Sequence, residues 1–128
     1  MGKIKIAVID DEEAVRRSLK NILEADGTYD VLTAEDGARG LKLVKKRRPD
    51  LILLDIMMPG IDGFEVLKRL KADYKTMSIP VIVLSAWASE ENRIKGSRLY
   101  TDLYLAKPIT PDELLEKVAQ VLRRKNLI

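Results

Sequence analysis

Residues 49–60 read Pro-Asp-Leu-Ile-Leu-Leu-Asp-Ile-Met-Met-Pro-Gly, and this pattern settles the architecture. The four apolar residues Leu51 to Leu54 do not alternate between core and solvent. Such a run suits a central parallel strand covered by helices on both faces. Pro49-Asp50 breaks the chain before it, and the Pro/Gly-rich loop Pro59 to Gly63 breaks it after. On either side, apolar runs alternate with helical patterns. Ile4 to Ile9 reads as a first strand. A helix follows over 12–25, with Val15, Leu19, Ile22 and Leu23 on one face, and Asp26-Gly27 stops it. Tyr29 to Ala34 is a second strand, and Ala38, Leu41 and Val44 mark a second helix.

Beyond the central run, Val66, Leu67 and Leu70 mark a third helix, and Val81 to Leu84 is another buried strand. A weak helix is expected over about Ser89 to Leu99, anchored only by Ile94 and Leu99. Leu103 to Ala106 forms a fifth short strand. The last helix has the clearest start: Thr110 at the N-cap, Pro111 in the first turn and Glu113 three residues on. Leu114, Val118, Val121 and Leu122 are its apolar face. Five strands alternating with five helices give one α/β domain over residues 1–128, with a parallel sheet and right-handed crossovers. A flavodoxin-like strand order 2-1-3-4-5, with helices on both faces, fits five units best. Ligands then sit beyond the C-terminal strand ends, where the first and third strands diverge.

Composition limits the chemistry. The 128 residues contain no Cys and no His. That excludes disulfides, thiolate metal sites, cysteine nucleophiles and any mechanism needing imidazole. Carboxylates, lysines, hydroxyls and backbone amides remain, and carboxylates favour hard cations such as magnesium. Lys and Arg total 23 against 20 Asp and Glu, a net charge of +3. The cations are spread along the chain and interleaved with acids, as on solvated helix faces, so direct nucleic-acid binding is not expected. No apolar run is long enough to span a membrane and no signal peptide is recognisable, which makes the cytoplasm the expected location.

The strand ends carry the chemistry. The first strand ends in Asp10-Asp11, the third in Asp55, the fourth in Ser85 and the fifth in Lys107, followed by Pro108. Each has a plainer reading: Asp11 as a helix cap, Asp55 as a turn former, Ser85 as a loop hydroxyl, Lys107 as a surface charge. Together they fall on one edge of the sheet. Clustered carboxylates repel, so a pKa rises or a cation enters. Carboxylate oxygens, a carbonyl and waters suit magnesium, and a lysine and a serine can bind phosphoryl oxygens. This describes a phosphoryl-transfer site working by positioning and electrostatics.

At these residues the chain resembles the receiver domain of two-component response regulators, in the single-domain chemotaxis-regulator style. Val8 to Leu23 is similar to the family's opening strand, acidic pair and first helix. Asp50 to Leu70 is similar to its phosphorylation segment, including Met58-Pro59 and Asp62-Gly63. Pro80 to Ala86 and Tyr104 to Ile109 are similar to its hydroxyl-bearing strand and its lysine–proline segment. The resemblance covers nearly the whole chain and implies roles. Asp55 would accept a phosphoryl group from a phosphohistidine of a sensor histidine kinase or histidine phosphotransfer protein. Asp10, Asp11, Asp55 and the Met57 backbone carbonyl would hold Mg²⁺ (or Mn²⁺). Lys107 would pair with Asp55 and then with the phosphoryl group. Ser85 would bind a phosphoryl oxygen, and Tyr104 would turn inward as a switch. The Lys107–Pro108 bond would be cis. The surface of the fourth helix, fifth strand and fifth helix would then control an unknown downstream protein.

The resemblance further implies a signalling switch, catalysing only its own phosphorylation and slow self-dephosphorylation, as a monomer or a phosphorylation-dependent homodimer. Two features depart from the family pattern. Tyr100-Thr101 replaces a small pair before the fifth strand. Trp87 is larger than usual, and would either shield the acyl phosphate from water or meet a partner. A carboxylate–magnesium phosphatase is the competing enzymatic reading, but it usually carries Asp-x-Asp and a cap insertion, and here the aspartates are adjacent. A third reading is nucleic-acid binding through basic helices, and a fourth makes the 128 residues part of a longer regulator, with Arg123 to Lys125 beginning a linker.

Overall fold

The computed structural model describes residues 2–86 and 101–128. Five strands, β1 (Ile4–Ile9), β2 (Tyr29–Ala34), β3 (Leu51–Asp55), β4 (Val81–Ser85) and β5 (Leu103–Ala106), form one sheet of order β2-β1-β3-β4-β5. Every pairing is parallel. Four helices lie among the described residues: α1 (Glu13–Glu24), α2 (Gly37–Arg47), α3 (Gly63–Ala72) and α4 (Pro111–Arg124). The helix expected over about 89–99, with Trp87 and Tyr100, lies outside the described residues.

The two-residue period of a strand divides the central apolar run between two cores. Ile52 and Leu54 join Ala7, Ile9, Val81 and Val83 under α2 and α3. Leu51 and Leu53 join Ile6, Val8, Ile82 and Leu84 under α1 and α4. All five residues of β3 are buried. Each fully buried Leu or Ile contributes roughly 1.5–3 kcal/mol relative to exposure, so a polar residue on either face of β3 would open one of the two cores.

Three helix starts follow the capping rule. The Asp36, Asp62 and Thr110 side chains accept the amides of Arg39, Glu65 and Glu113 at 2.7, 2.9 and 3.1 Å. The first helix departs from it. Its N-cap is Glu12, which makes no side-chain cap bond, and Asp11 stands exposed outside the helix. Asp10 accepts the Glu12 amide at 2.9 Å instead. The plain reading of Asp11 as a cap therefore fails, and both aspartates are left at the strand end.

The opposite edge of the sheet is tied by two aspartates in equivalent places. Asp50, just before β3, accepts the Lys5 amide at 2.9 Å. Asp102, just before β5, accepts the Val81 amide at 2.8 Å and pairs with Lys125 at 3.2 Å. These bonds fix where β1 and β4 begin relative to their neighbours, and hence where their far ends stop.

Candidate functional site

Register brings the strand ends together. Ile9 pairs with Leu54, so Asp10 follows β1 beside Asp55 at the end of β3. Asp55 pairs with Leu84 and Ser85 with Ala106, which puts Lys107 one residue past β5. The result is a cluster of Asp10, Asp11 and Asp55, with one oxygen from each lying within 4.8 Å of the others. Asp10 and Asp55 are buried while Asp11 is exposed, so the cluster opens to solvent on one side.

Lys107 spans the buried pair. Its Nζ lies 2.8 Å from Asp10 Oδ2 and 3.8 Å from Asp55 Oδ1. The expected Lys107–Asp55 pairing is thus present as the longer arm, and the closer partner is Asp10. Two further bonds hold the pair in place. Asp55 Oδ1 accepts the Met57 amide at 3.2 Å, and Arg16 Nη1 donates to the Asp10 carbonyl at 2.8 Å. Ser85 is fully buried at the end of β4, where its carbonyl accepts the Lys107 amide at 2.8 Å. It is a strand residue, not a loop hydroxyl. The Lys107–Pro108 peptide is cis.

Tyr104 is the other residue expected to act in the switch. It is half-buried on β5 and packs against the core under α2 and α3. The Met57 side chain is half exposed, and among the described residues no donor bonds its carbonyl, which stays available as a ligand.

Burial makes the charged form of Asp55 costly and raises its pKa to about 6. The Lys107 charge and the Met57 amide pull it down, and the Asp10 and Asp11 charges push it up. Burial also works against the Lys107 ammonium. The hydrogen bond and charge of Asp10, with the charges of Asp55 and Glu12, outweigh it and hold Lys107 above the usual lysine value. The site thus keeps one fixed cation among three acids. The donor set is all oxygen, with neither imidazole nor thiolate, and fits a hard divalent cation.

Two residues of this site were given no role of their own from the sequence. Gly63 opens α3 against the Asp55 main chain, where an added Cβ would lie 2.3 Å from the Asp55 carbonyl oxygen and 2.6 Å from Ile56 Cα. Its amide donates to the Ile56 carbonyl at 3.0 Å. Only glycine permits this approach, and the signal available was its place at a helix start after a Pro/Gly loop. Arg16, which holds the Asp10 carbonyl, carried no sequence signal beyond its position on the first helix.

Residues 6–119 match the family model described as the response regulator receiver domain. The chain belongs to this family. The receiver domain is 42% identical over 119 residues to the phosphate regulon transcriptional regulatory protein PhoB of Pseudomonas aeruginosa, covering 93% of this chain and 52% of that protein. It is 41% identical over 124 residues to the DNA-binding dual master transcriptional regulator RpaA of Synechocystis, covering 97% and 51%. It spans about half the length of the curated relatives it matches. Among solved structures, the chemotaxis protein CheY4 of Vibrio cholerae superposes with a TM-score of 0.89 at 30% identity, covering 94% of this chain and 100% of that one. A CheY-like receiver domain protein of Methanospirillum hungatei gives 0.91 at 30% identity, covering 98% of each. The expectation that direct nucleic-acid binding is unlikely is not confirmed, since these relatives are named as transcriptional regulators, one of them DNA-binding. No described helix is long and apolar enough to cross a membrane.

Proposed function

We propose that this receiver domain takes a phosphoryl group onto Asp55 from a phosphohistidine of a sensor histidine kinase or a histidine phosphotransfer protein. The observation that carries the reading is the buried Asp10–Lys107–Asp55 bridge beside exposed Asp11. An Asp55 carboxylate oxygen attacks phosphorus, a P–O bond forms and the P–N bond to histidine breaks. The departing imidazole nitrogen keeps the electron pair. Asp10, Asp11, Asp55 and the Met57 carbonyl would hold Mg²⁺ or Mn²⁺. When bound, the ion neutralises charge on the phosphoryl oxygens.

Lys107 is already poised between two carboxylates. When Asp55 becomes an acyl phosphate, Lys107 gains a partner of roughly −1.5 to −2 charge, and the pairing shifts from Asp10 toward it. Ser85 donates its hydroxyl to a phosphoryl oxygen from the end of β4. Tyr104, on the strand that leads to Lys107, then turns inward as Ser85 moves. The surface built on β5 and α4 passes the change to a downstream protein. The domain turns over no external substrate beyond its own phosphorylation and slow dephosphorylation. It works in the cytoplasm, as a monomer or a phosphorylation-dependent homodimer. The relatives' names favour an output at transcription.

The test is incubation with acetyl phosphate and magnesium, followed by intact mass. A gain of ~80 Da, lost in Asp55→Ala and with chelator, supports the reading. No gain with any phosphodonor would refute it.

A further inference from the structure

β2 is an edge strand, and its outer edge is closed at one residue and open at the next in phase. β1 donates inward, with the Asp10 amide bonded to the Ala34 carbonyl at 3.2 Å. The two-residue period therefore turns the main-chain groups of Val31 and Thr33 outward. At Val31 both are taken by α1: the Glu24 carboxylate accepts its amide at 2.9 Å, and Lys20 donates to its carbonyl at 3.1 Å. Such side-chain blocking protects an exposed edge from strand pairing. At Thr33, among the described residues, neither group is taken by a side chain or a turn.

Thr33 opens into a cleft of about 440 Å³ between α1 and α2. That is within the size range of pockets that take small organic ligands. The floor includes Ala34 and Leu43, and the rim carries Arg16, Arg39, Lys42 and Lys46 against one acid, Glu35. Arg39 is paired with Glu35 and lies 3.8 Å from Asp36. Among the described residues no carboxylate pairs with Lys42 or Lys46. α2 itself holds five cations and no acid from Gly37 to Arg47, and Arg48 follows at its C-cap.

From this juxtaposition we infer that the cleft docks an acidic, extended peptide segment of a partner protein, added to the open end of β2. A peptide backbone supplies both an acceptor for the Thr33 amide and a donor for its carbonyl. Asp or Glu side chains on the segment complement Lys42 and Lys46. A bare anion would satisfy the lysines and the Thr33 amide but not the carbonyl. The site is separate from the carboxylate cluster and does not depend on phosphorylation, although Arg16 touches both.

The test is titration of the ¹⁵N-labelled chain with a short Asp/Glu-rich peptide, with its Asn/Gln counterpart, and with the acidic peptide N-methylated at its central residues. A short DNA duplex and inorganic phosphate are run in parallel. The expected result is a shift of the Thr33 amide, with the Arg39–Lys46 amides following, for the acidic peptide alone. Lys42→Glu/Lys46→Glu should weaken it about ten-fold without loss of helicity, since both lysines are exposed. Equal binding of the N-methylated peptide would overturn strand addition. Equal binding of the neutral peptide, or binding of DNA or phosphate here without the peptide, would overturn the inference itself.

Discussion

Replacing Asp55 with Asn should stabilise the metal-free domain at neutral pH. Burial raises the Asp55 pKa from 3.8 to about 6 in the folded state, with Lys107 already counted against it. Between those values the folded chain holds a proton that the unfolded chain has released. Stability therefore falls as pH rises through this window, and the full penalty is present above it. A displacement of that size is worth about 3 kcal/mol. Asn keeps the shape and carries no charge at any pH, so the two proteins should be nearly equal at about pH 3.5 and differ by up to ~3 kcal/mol at about pH 7.5. Urea unfolding of both proteins across that range, in chelator, measures the gap. Magnesium should then narrow it by stabilising the Asp55 form alone. An Asn variant no more stable at neutral pH, or a gap that does not close toward acid, would refute the burial argument.

Other consequences follow from the same geometry. In metal-free chain, the fraction of Asp55 ionised should fall through about pH 6, readable by carboxyl NMR, because its pKa is raised to that value. Gly63→Ala puts a Cβ into the Asp55 main chain; it should cost roughly 1–3 kcal/mol in urea unfolding and slow labelling by acetyl phosphate. Thr110→Ala removes the α4 cap and should cost about 1 kcal/mol with labelling unchanged. Lys107→Ala leaves Asp10 and Asp55 buried without their shared cation, so the Asp55 pKa should move further up, again by carboxyl NMR.

What was legible in the sequence divides along a physical line. The continuous apolar run Leu51 to Leu54 announced a doubly covered strand because burial on both faces leaves no polar position. Register then had to bring Asp10, Asp55, Ser85 and Lys107 to one edge, since parallel strands of similar length end together. Thr110, Pro111 and Glu113 marked a helix start by local chemistry alone. Three features escaped. The preference of Lys107 for Asp10 over Asp55 depends on a difference of about an ångström in side-chain placement. The fit of Gly63 against Asp55 depends on how a helix sits on a strand, and spacing does not encode that. The charge balance, read over the whole chain as solvated faces, hid the one-sided character of α2, which carries five cations and no acid of its own from Gly37 to Arg47.

The two ends of the sheet do opposite work, and this explains why an acid cluster survives in a small domain. At the N-terminal edge, Asp50 and Asp102 each accept a strand amide, so their charge is spent on hydrogen bonds that lock register. At the C-terminal edge, Asp10 and Asp55 are more deeply buried and share one lysine, and Asp55 is held partly against its own ionisation. Exchanging the roles would fail: a carboxylate committed to a strand amide is a poorer nucleophile, and an under-compensated one would not hold a strand in register. The lower edge therefore supplies the rigidity that lets the upper edge stay electrostatically unsatisfied. Under the proposed function, that unsatisfied charge is what a cation and then a phosphoryl group relieve. Asp102→Ala should test this coupling: it removes the Val81 and Lys125 bonds, on the opposite edge of the sheet from the acids. If β4 register matters to the site, urea stability should fall by roughly 1–3 kcal/mol and labelling of Asp55 should slow with it. Lower stability with unchanged labelling, measured at a temperature where the variant is fully folded, would show that the two edges are independent.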